Sequence, residues 1–265
     1  MIPNIVIYSN CQSKGIRYFL NMVIEGNYEE ILNYEYIREE RELPLDVIKK
    51  ADIFIYQPID RKHGIYSTDL SVENNILSHL SPNCKKVTFP YIYNSAFWGF
   101  VPHGYGNDIV GNITHNKNYI NTEPIEKLKK EGKSIETVTQ MFLDGDIDFE
   151  YQRRFDECIK ILKEKEDVCD VKVSDFILKH TKDIRLFLTP NHPTTQVYIH
   201  CVNQIIQKLG INKYLEQGNF DPNLAGLEGD YKYSTCDLKF WNFKYPVTWD
   251  TYGWIKPLVE IYNLV

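Results

Sequence analysis

The sequence predicts an α/β protein whose parallel sheet is flanked by helices, and three observations predict it. An apolar β-branched run, Ile5-Val6-Ile7, ends in the polar knot Ser9-Asn10-Cys11-Gln12. That knot leads straight into a helical stripe, with Ile16, Phe19, Leu20 and Val23 at i, i+3, i+4 and i+7. Further apolar runs at 51–59 and 86–89 are stopped by Pro58 and Pro90, with a helical stretch at 69–80 between them. Strand and helix in alternation imply crossover connections, hence parallel strands and right-handed βαβ units.

The elements then follow in order. The spacing predicts a strand at 4–9, a helix at 12–24 and a strand at 31–37. Residues 90–121 are rich in Gly, Asn, Pro and aromatics and read as extended loop. Helical character dominates 124–182, where Phe155, Cys158, Ile159 and Leu162 repeat the stripe, as an added helical layer. A strand at 183–188 is followed by Thr189–Thr194 and a helix at 194–209. Beyond 210 the chain reads as an irregular aromatic region containing Trp241, Trp249 and Trp254. With no repeat and no linker, residues 1–265 are expected to form one elaborated domain.

Composition narrows the function classes. An apolar content of 43% and a charged content of 25% are those of a soluble globular chain. A net charge of −6 argues against a nucleic-acid binder, which carries a basic surplus. No window reaches the roughly 18 apolar residues of a membrane span. The six cysteines are scattered without a Cys-x-x-Cys pair, and the first strand begins at once, so a reduced, cytoplasmic setting is expected.

Cys11 is the residue with most chemical promise. A strand ending where a helix begins presents its last side chains at the carboxyl edge of a sheet, where open α/β folds bind ligands. A thiol there faces the positive end of a helix, which favours thiolate. A small buried hydrophobe is the competing reading of any free cysteine. His192 sits at a second strand-to-helix junction, before Pro193, where a helix N-terminus keeps imidazole neutral and basic. Cys11 and His192 thus form a candidate dyad, with capping by Asn191 or His192 as the alternative. Asn10, Gln12, Gln57 and Asn191 are candidates for positioning groups or oxyanion donors. Ser9 is a further candidate polar group beside the nucleophile, and Lys14 and Arg17 are candidates for a ligand phosphate, with a solvated charged face as the favoured alternative. Phe97 and His103 lie in an aromatic segment that reads as a cleft wall or a packed loop, His103 doubling as a weaker candidate base. The run Asp144-x-Asp146-x-Asp148 lacks the glycine and glutamate of a calcium loop, Gly104-x-Gly106 lacks a dinucleotide frame, and no phosphate loop or zinc helix occurs.

Five pieces in sequence carry a family resemblance. They are Ser9–Gln12, Ala51–Ile59, Phe89–Tyr93 with Phe97–Phe100, Cys169–Phe176 and Leu186–Thr194. In this order they resemble the WcbI-like family, proposed acetyltransferases of capsular polysaccharide biosynthesis. The family is similar to SGNH hydrolases, with a nucleophile after the first strand and a late histidine, and is associated with coenzyme A. The resemblance therefore implies an SGNH-like sheet, with Cys11 in the nucleophile position and His192 as the late histidine. It implies transfer of acetyl from acetyl-CoA to a hydroxyl of a sugar in a surface polysaccharide or its precursor. Thr189 stands where SGNH enzymes carry the acid of their triad. An esterase or thioesterase with a cysteine nucleophile, and a non-catalytic coenzyme A- or sugar-binding protein, stay open beside it.

Overall fold

Strand β1 (Asn4–Ser9) is the pivot of a four-stranded parallel sheet. β2 (Asn27–Leu32) pairs on one side of it, β3 (Ile53–Tyr56) on the other, and β4 (Lys85–Thr88) lies beyond β3. Ile5, Val6, Ile7, Tyr8 and Ser9 are all buried, as expected of a central strand covered on both faces. The strand order reverses between β1 and β3, because β2 was laid down on the opposite side. Such a switch point opens a crevice outside the carboxyl ends of the strands. In register, Ser9 pairs with Leu32, Tyr8 with Tyr56 and Tyr56 with Thr88.

This computed structural model describes residues 2–100 and 121–265. The helices are α1 (Ser13–Asn21), α2 (Asn33–Glu39), α3 (Leu45–Lys49), α4 (Glu123–Lys130), α5 (Ile135–Asp144), α6 (Tyr151–Glu166), α7 (Ser174–His180), α8 (Thr195–Lys208), α9 (Thr235–Trp241) and α10 (Ile255–Leu264). The chain forms two compact units. One comprises Met1–Tyr93, Lys160–Lys179 and Leu186–Gly229, the other Asn94–Ile159, His180–Arg185 and Asp230–Val265. No described helix is long and apolar enough to cross a membrane.

In the first unit the sheet carries α1 and α8 packed together. Their closest approach is at Gly15, where a Cβ would lie 2.3 Å from Cζ of the buried Tyr198. Only a residue without a side chain lets the helices meet there.

Three elements depart from the sequence reading. The strand expected at 31–37 runs instead from Asn27 to Leu32, and α2 follows at once. As an edge strand β2 alternates exposed and covered residues through Asn27-Tyr28-Glu29-Glu30, so Ile31 and Leu32 mark its end rather than its start. The helix expected at 69–80 is reduced to a short 3₁₀ turn, Ile76–His79, with Asn75 accepting from the Leu77 and Ser78 amides. The apolar run at 183–188 gives β5 (Phe187–Thr189), which does not join the parallel sheet. Pro190 and Asn191 turn the chain back, and β5 pairs antiparallel with β6 (His192–Pro193).

The second unit is built on aromatic packing. Trp98 stacks on Tyr233 at 5.7 Å, and Phe142, Phe149 and Tyr151 pack edge to face. The fully buried Asp237 carboxylate accepts from the Ser234 amide (2.6 Å), the Gly99 amide (2.7 Å) and the Tyr151 hydroxyl (2.7 Å). It belongs to a capping box that starts α9, an element hidden in the aromatic region beyond 210.

Candidate active site

Cys11 follows β1 in a two-residue turn before α1, half-buried, with its thiol close to residue 191. Asn191 Nδ2 donates to Cys11 Sγ at 3.4 Å, and Thr189 Oγ1 donates to Asn191 Oδ1 at 3.1 Å. Burial pushes the Cys11 thiol above its ordinary range. The Asn191 amide and the Cys11 backbone N–H offset this only in part. The thiolate expected from the helix start is therefore not what the site favours. Two of the amides that open the helix are already taken. The Gln12 N–H donates to Asn10 Oδ1 and the Ser13 N–H to the Asn10 carbonyl, both at 3.0 Å. Asn10, not the thiol, receives the positive end of α1.

A buried amide network joins this turn to the hairpin that carries His192. Gln12 Nε2 donates to the carbonyls of Ile92 (2.6 Å) and Asn191 (2.8 Å). Its Oε1 accepts from Gln57 Nε2 (2.9 Å) and the Ile92 amide (3.2 Å). Gln57 Oε1 accepts from the Asn10 amide at 3.0 Å, and Gln57 Nε2 also donates to the Pro90 carbonyl at 3.4 Å. Every hydrogen-bonding position of the Gln12 amide is filled. With both Gln57 N–H bonds and the Gln12 backbone N–H engaged, neither residue serves as an oxyanion donor. They position Asn10, Cys11 and Asn191.

His192 lies in β6 rather than at a helix start, since α8 begins at Thr195 behind Thr194. Its Nδ1 is 2.7 Å from the Glu228 carbonyl. A carbonyl only accepts, so Nδ1 carries the proton and Nε2 keeps its lone pair. Burial pushes the imidazole below its ordinary range, and the Glu228 carbonyl pulls back in part. A neutral imidazole at pH 7 results, by desolvation rather than by a helix dipole. Cys11 Sγ accepts from Asn191, next to His192 in the chain.

A cleft of about 680 Å³ opens beside Cys11. Cys11, Lys14 and Arg17 line it together with Tyr18, Met22, Leu32 and Ala225. Glu30 lies in the same wall, accepting from Ser13 Oγ (2.5 Å) and Arg17 (2.8 Å). Lys14 Nζ donates to the Gly226 carbonyl at 2.6 Å. One thiol, two cations against one carboxylate, and an apolar wall suit a long ligand with phosphate and apolar segments.

The remaining expectations fare differently. Ser9 is fully buried, with its hydroxyl donating to the Asn10 carbonyl at 3.1 Å, so it holds the turn rather than a ligand. Phe97 is 1% exposed, its ring packed on Trp98, Phe155, Trp241 and Phe243, which leaves no face for a cofactor. His103 lies outside the described residues. Glu30, Ala225 and Glu228 escaped the sequence reading. Glu30 was hidden by the misplaced start of β2, and Ala225 and Glu228 sit in a loop with no periodic signal.

No curated protein matches the chain. A solved structure described as that of WcbI, a polysaccharide biosynthesis enzyme, matches with a TM-score of 0.53 and 15% identity, over 99% of this chain and 93% of that one. It is reported as the native protein without a disulfide bond between coenzyme A and one of its cysteines. At that identity the likeness shows the shared α/β fold. The profile of the polysaccharide biosynthesis enzymes named WcbI matches residues 4–214, a stretch holding β1 to β6, Cys11 and His192. Most of the chain being so matched, this protein belongs to the WcbI family of polysaccharide biosynthesis enzymes.

Proposed function

We propose that this enzyme is a coenzyme A-dependent O-acetyltransferase acting on a sugar hydroxyl of a surface polysaccharide or its precursor. One observation carries the reading: Cys11 lines the same cleft as Lys14 and Arg17, so a thiol end and a phosphate end of one ligand have matching walls. The description of the WcbI structure, as free of a disulfide between coenzyme A and a cysteine, names this ligand beside this residue type. Acetyl-CoA would supply the thioester that carries the acetyl group. Lys14 and Arg17 keep N–H donors beyond those given to Gly226 and Glu30, and these suit phosphate oxygens. Asn191 Nδ2 and the Cys11 backbone N–H converge on Sγ, where they are placed to stabilise negative charge on a carbonyl oxygen. His192 Nε2 takes the proton from the acceptor hydroxyl, its ring fixed by the Glu228 carbonyl.

Cys11 acts in the leading reading as the group that accepts the acetyl. Its raised thiol favours a second reading, in which the acetyl passes directly to the sugar and Cys11 only borders the reacting end. Incubation with acetyl-CoA followed by intact-mass measurement separates them, with an acetyl adduct on wild type and none on Cys11→Ala. Full transferase activity in Cys11→Ala overturns the covalent route. Acetate release at equal rates with and without sugars overturns the transferase reading in favour of hydrolysis.

A further inference from the structure

A second, smaller cleft of about 290 Å³ lies in the first unit, beyond the carboxyl ends of the strands. Asn10 contributes to it from the end of β1, Asn33 from the end of β2, Gln57 from the end of β3, and Pro90 and Tyr91 from the segment after β4. It thus spans the switch point of the sheet, where open α/β folds hold ligands. Two pairs of consecutive residues divide between the clefts. Cys11 lines the larger one and Asn10 the smaller, and likewise Leu32 lines the larger and Asn33 the smaller. β1 and β2 are paired neighbours, Ser9 opposite Leu32, so one ridge of backbone separates the two cavities.

The smaller cleft carries polar groups open to a ligand. Asn33 is only 4% exposed, yet among the described residues its side-chain amide makes no hydrogen bond, and neither does Asn10 Nδ2. Neither amide is among the buried atoms left without a partner, so both are open to the cleft, where a ligand can reach them. Tyr91 adds an aromatic ring, with Lys165 Nζ 4.9 Å from its centroid. Uncharged amides beside a ring match a hydroxyl-rich pyranose, and the volume suits one or two rings rather than a nucleotide.

We infer that this cleft is a saccharide subsite for the acceptor, holding through Asn33, Asn10 and Tyr91 a neutral hexose unit that flanks the reacting one, across the Asn10–Cys11 ridge from the coenzyme A cleft. The inference rests on the acetyltransferase reading for its purpose, but the binding itself is measurable alone. Saturation-transfer NMR on the full chain would use methyl glucoside, galactoside, mannoside and N-acetylglucosaminide as probes, with methyl glucuronide beside them. Transfer to the ring protons of at least one neutral glycoside is expected. It should weaken by roughly threefold or more in Asn33→Ala and in Tyr91→Ala, on the scale of one hydrogen bond or ring contact. The coenzyme A-induced rise in melting temperature should persist in both variants and shows that they are folded. Absence of transfer from every neutral probe overturns the inference, as does equal transfer in wild type and both variants. Preference for the glucuronide that vanishes in Lys165→Gln overturns the neutral class. If coenzyme A gives no thermal shift while the glycoside signal behaves as expected, the acetyltransferase reading fails and the saccharide site stands.

Discussion

Gln12 Nε2 donates to the Asn191 carbonyl at 2.8 Å, tying the turn after β1 to a residue 179 positions away. One buried amide therefore sets the approach of Cys11 and the hairpin that carries His192. Gln12→Leu keeps the volume but leaves the Ile92 and Asn191 carbonyls and the Ile92 amide without that partner. Each unsatisfied buried group costs about 1–3 kcal/mol, so a loss of about 3 kcal/mol or more is expected in urea unfolding. A loss below about 1 kcal/mol would show that the network is solvated and that Gln12 does not hold the site together.

Cys11 should behave as a protected thiol. Burial holds its pKa above the ordinary value of 9.0, so its alkylation by iodoacetamide, followed on the Cys11 peptide, should still be climbing at pH 9. The Asn191 hydrogen bond favours the thiolate, and Asn191→Ala should shift the profile to still higher pH. A plateau already reached at pH 8, or a shift to lower pH in Asn191→Ala, would refute this account of the thiol.

His192 gives a pH signature with a definite sign. Burial lowers its pKa in the folded chain below the ordinary 6.5, so the unfolded chain binds the proton more readily. Stability from this group is full above 6.5 and declines as pH falls from there toward the folded value, and His192→Gln should lose that component of the pH dependence. In kcat/KM the acid limb should fall below pH 6.5, and His192→Gln should lose about 10²–10⁴-fold in activity. An unchanged acid limb in His192→Gln would assign the base elsewhere.

Much of this was legible from local pattern. The β1–α1 junction announced itself because a buried β-branched run met a helical stripe across the short polar knot Ser9–Gln12. Lys14 and Arg17, one helical step apart, follow from the same stripe and do line the cleft with Cys11. Tertiary features were not legible. Pattern alone gave no sign that β5 would pair with β6 rather than extend the parallel sheet, since a short buried run reads the same in either setting. An asparagine just before a helix is a capping signal, so Asn10 taking the helix amides was legible, whereas burial outweighing the dipole at the thiol was not. Tyr91 lies in the Phe89–Tyr93 piece of the resemblance, but Asn33 lacked any signal, because a cleft across strand ends gathers residues distant in sequence.

The packing of α1 on α8 supplies a prediction independent of chemistry. A Cβ at Gly15 would stand 2.3–2.6 Å from three ring atoms of Tyr198, a side chain about 1% exposed and stacked against Phe19 at 6.3 Å. Neither ring nor backbone has room to give, so Gly15→Ala should destabilise by about 1–3 kcal/mol or more through overpacking. The Tyr198 hydroxyl is buried without a hydrogen-bond partner. Tyr198→Phe should therefore be neutral or stabilising by up to about 1 kcal/mol, since it removes an unsatisfied group and leaves the ring in place. Because the ring causes the clash, Tyr198→Phe should not rescue Gly15→Ala, whereas Tyr198→Leu should recover part of the loss in the double variant. Additive losses for Gly15→Ala and Tyr198→Leu in a double-mutant cycle would show that the two helices do not bear on each other at this contact.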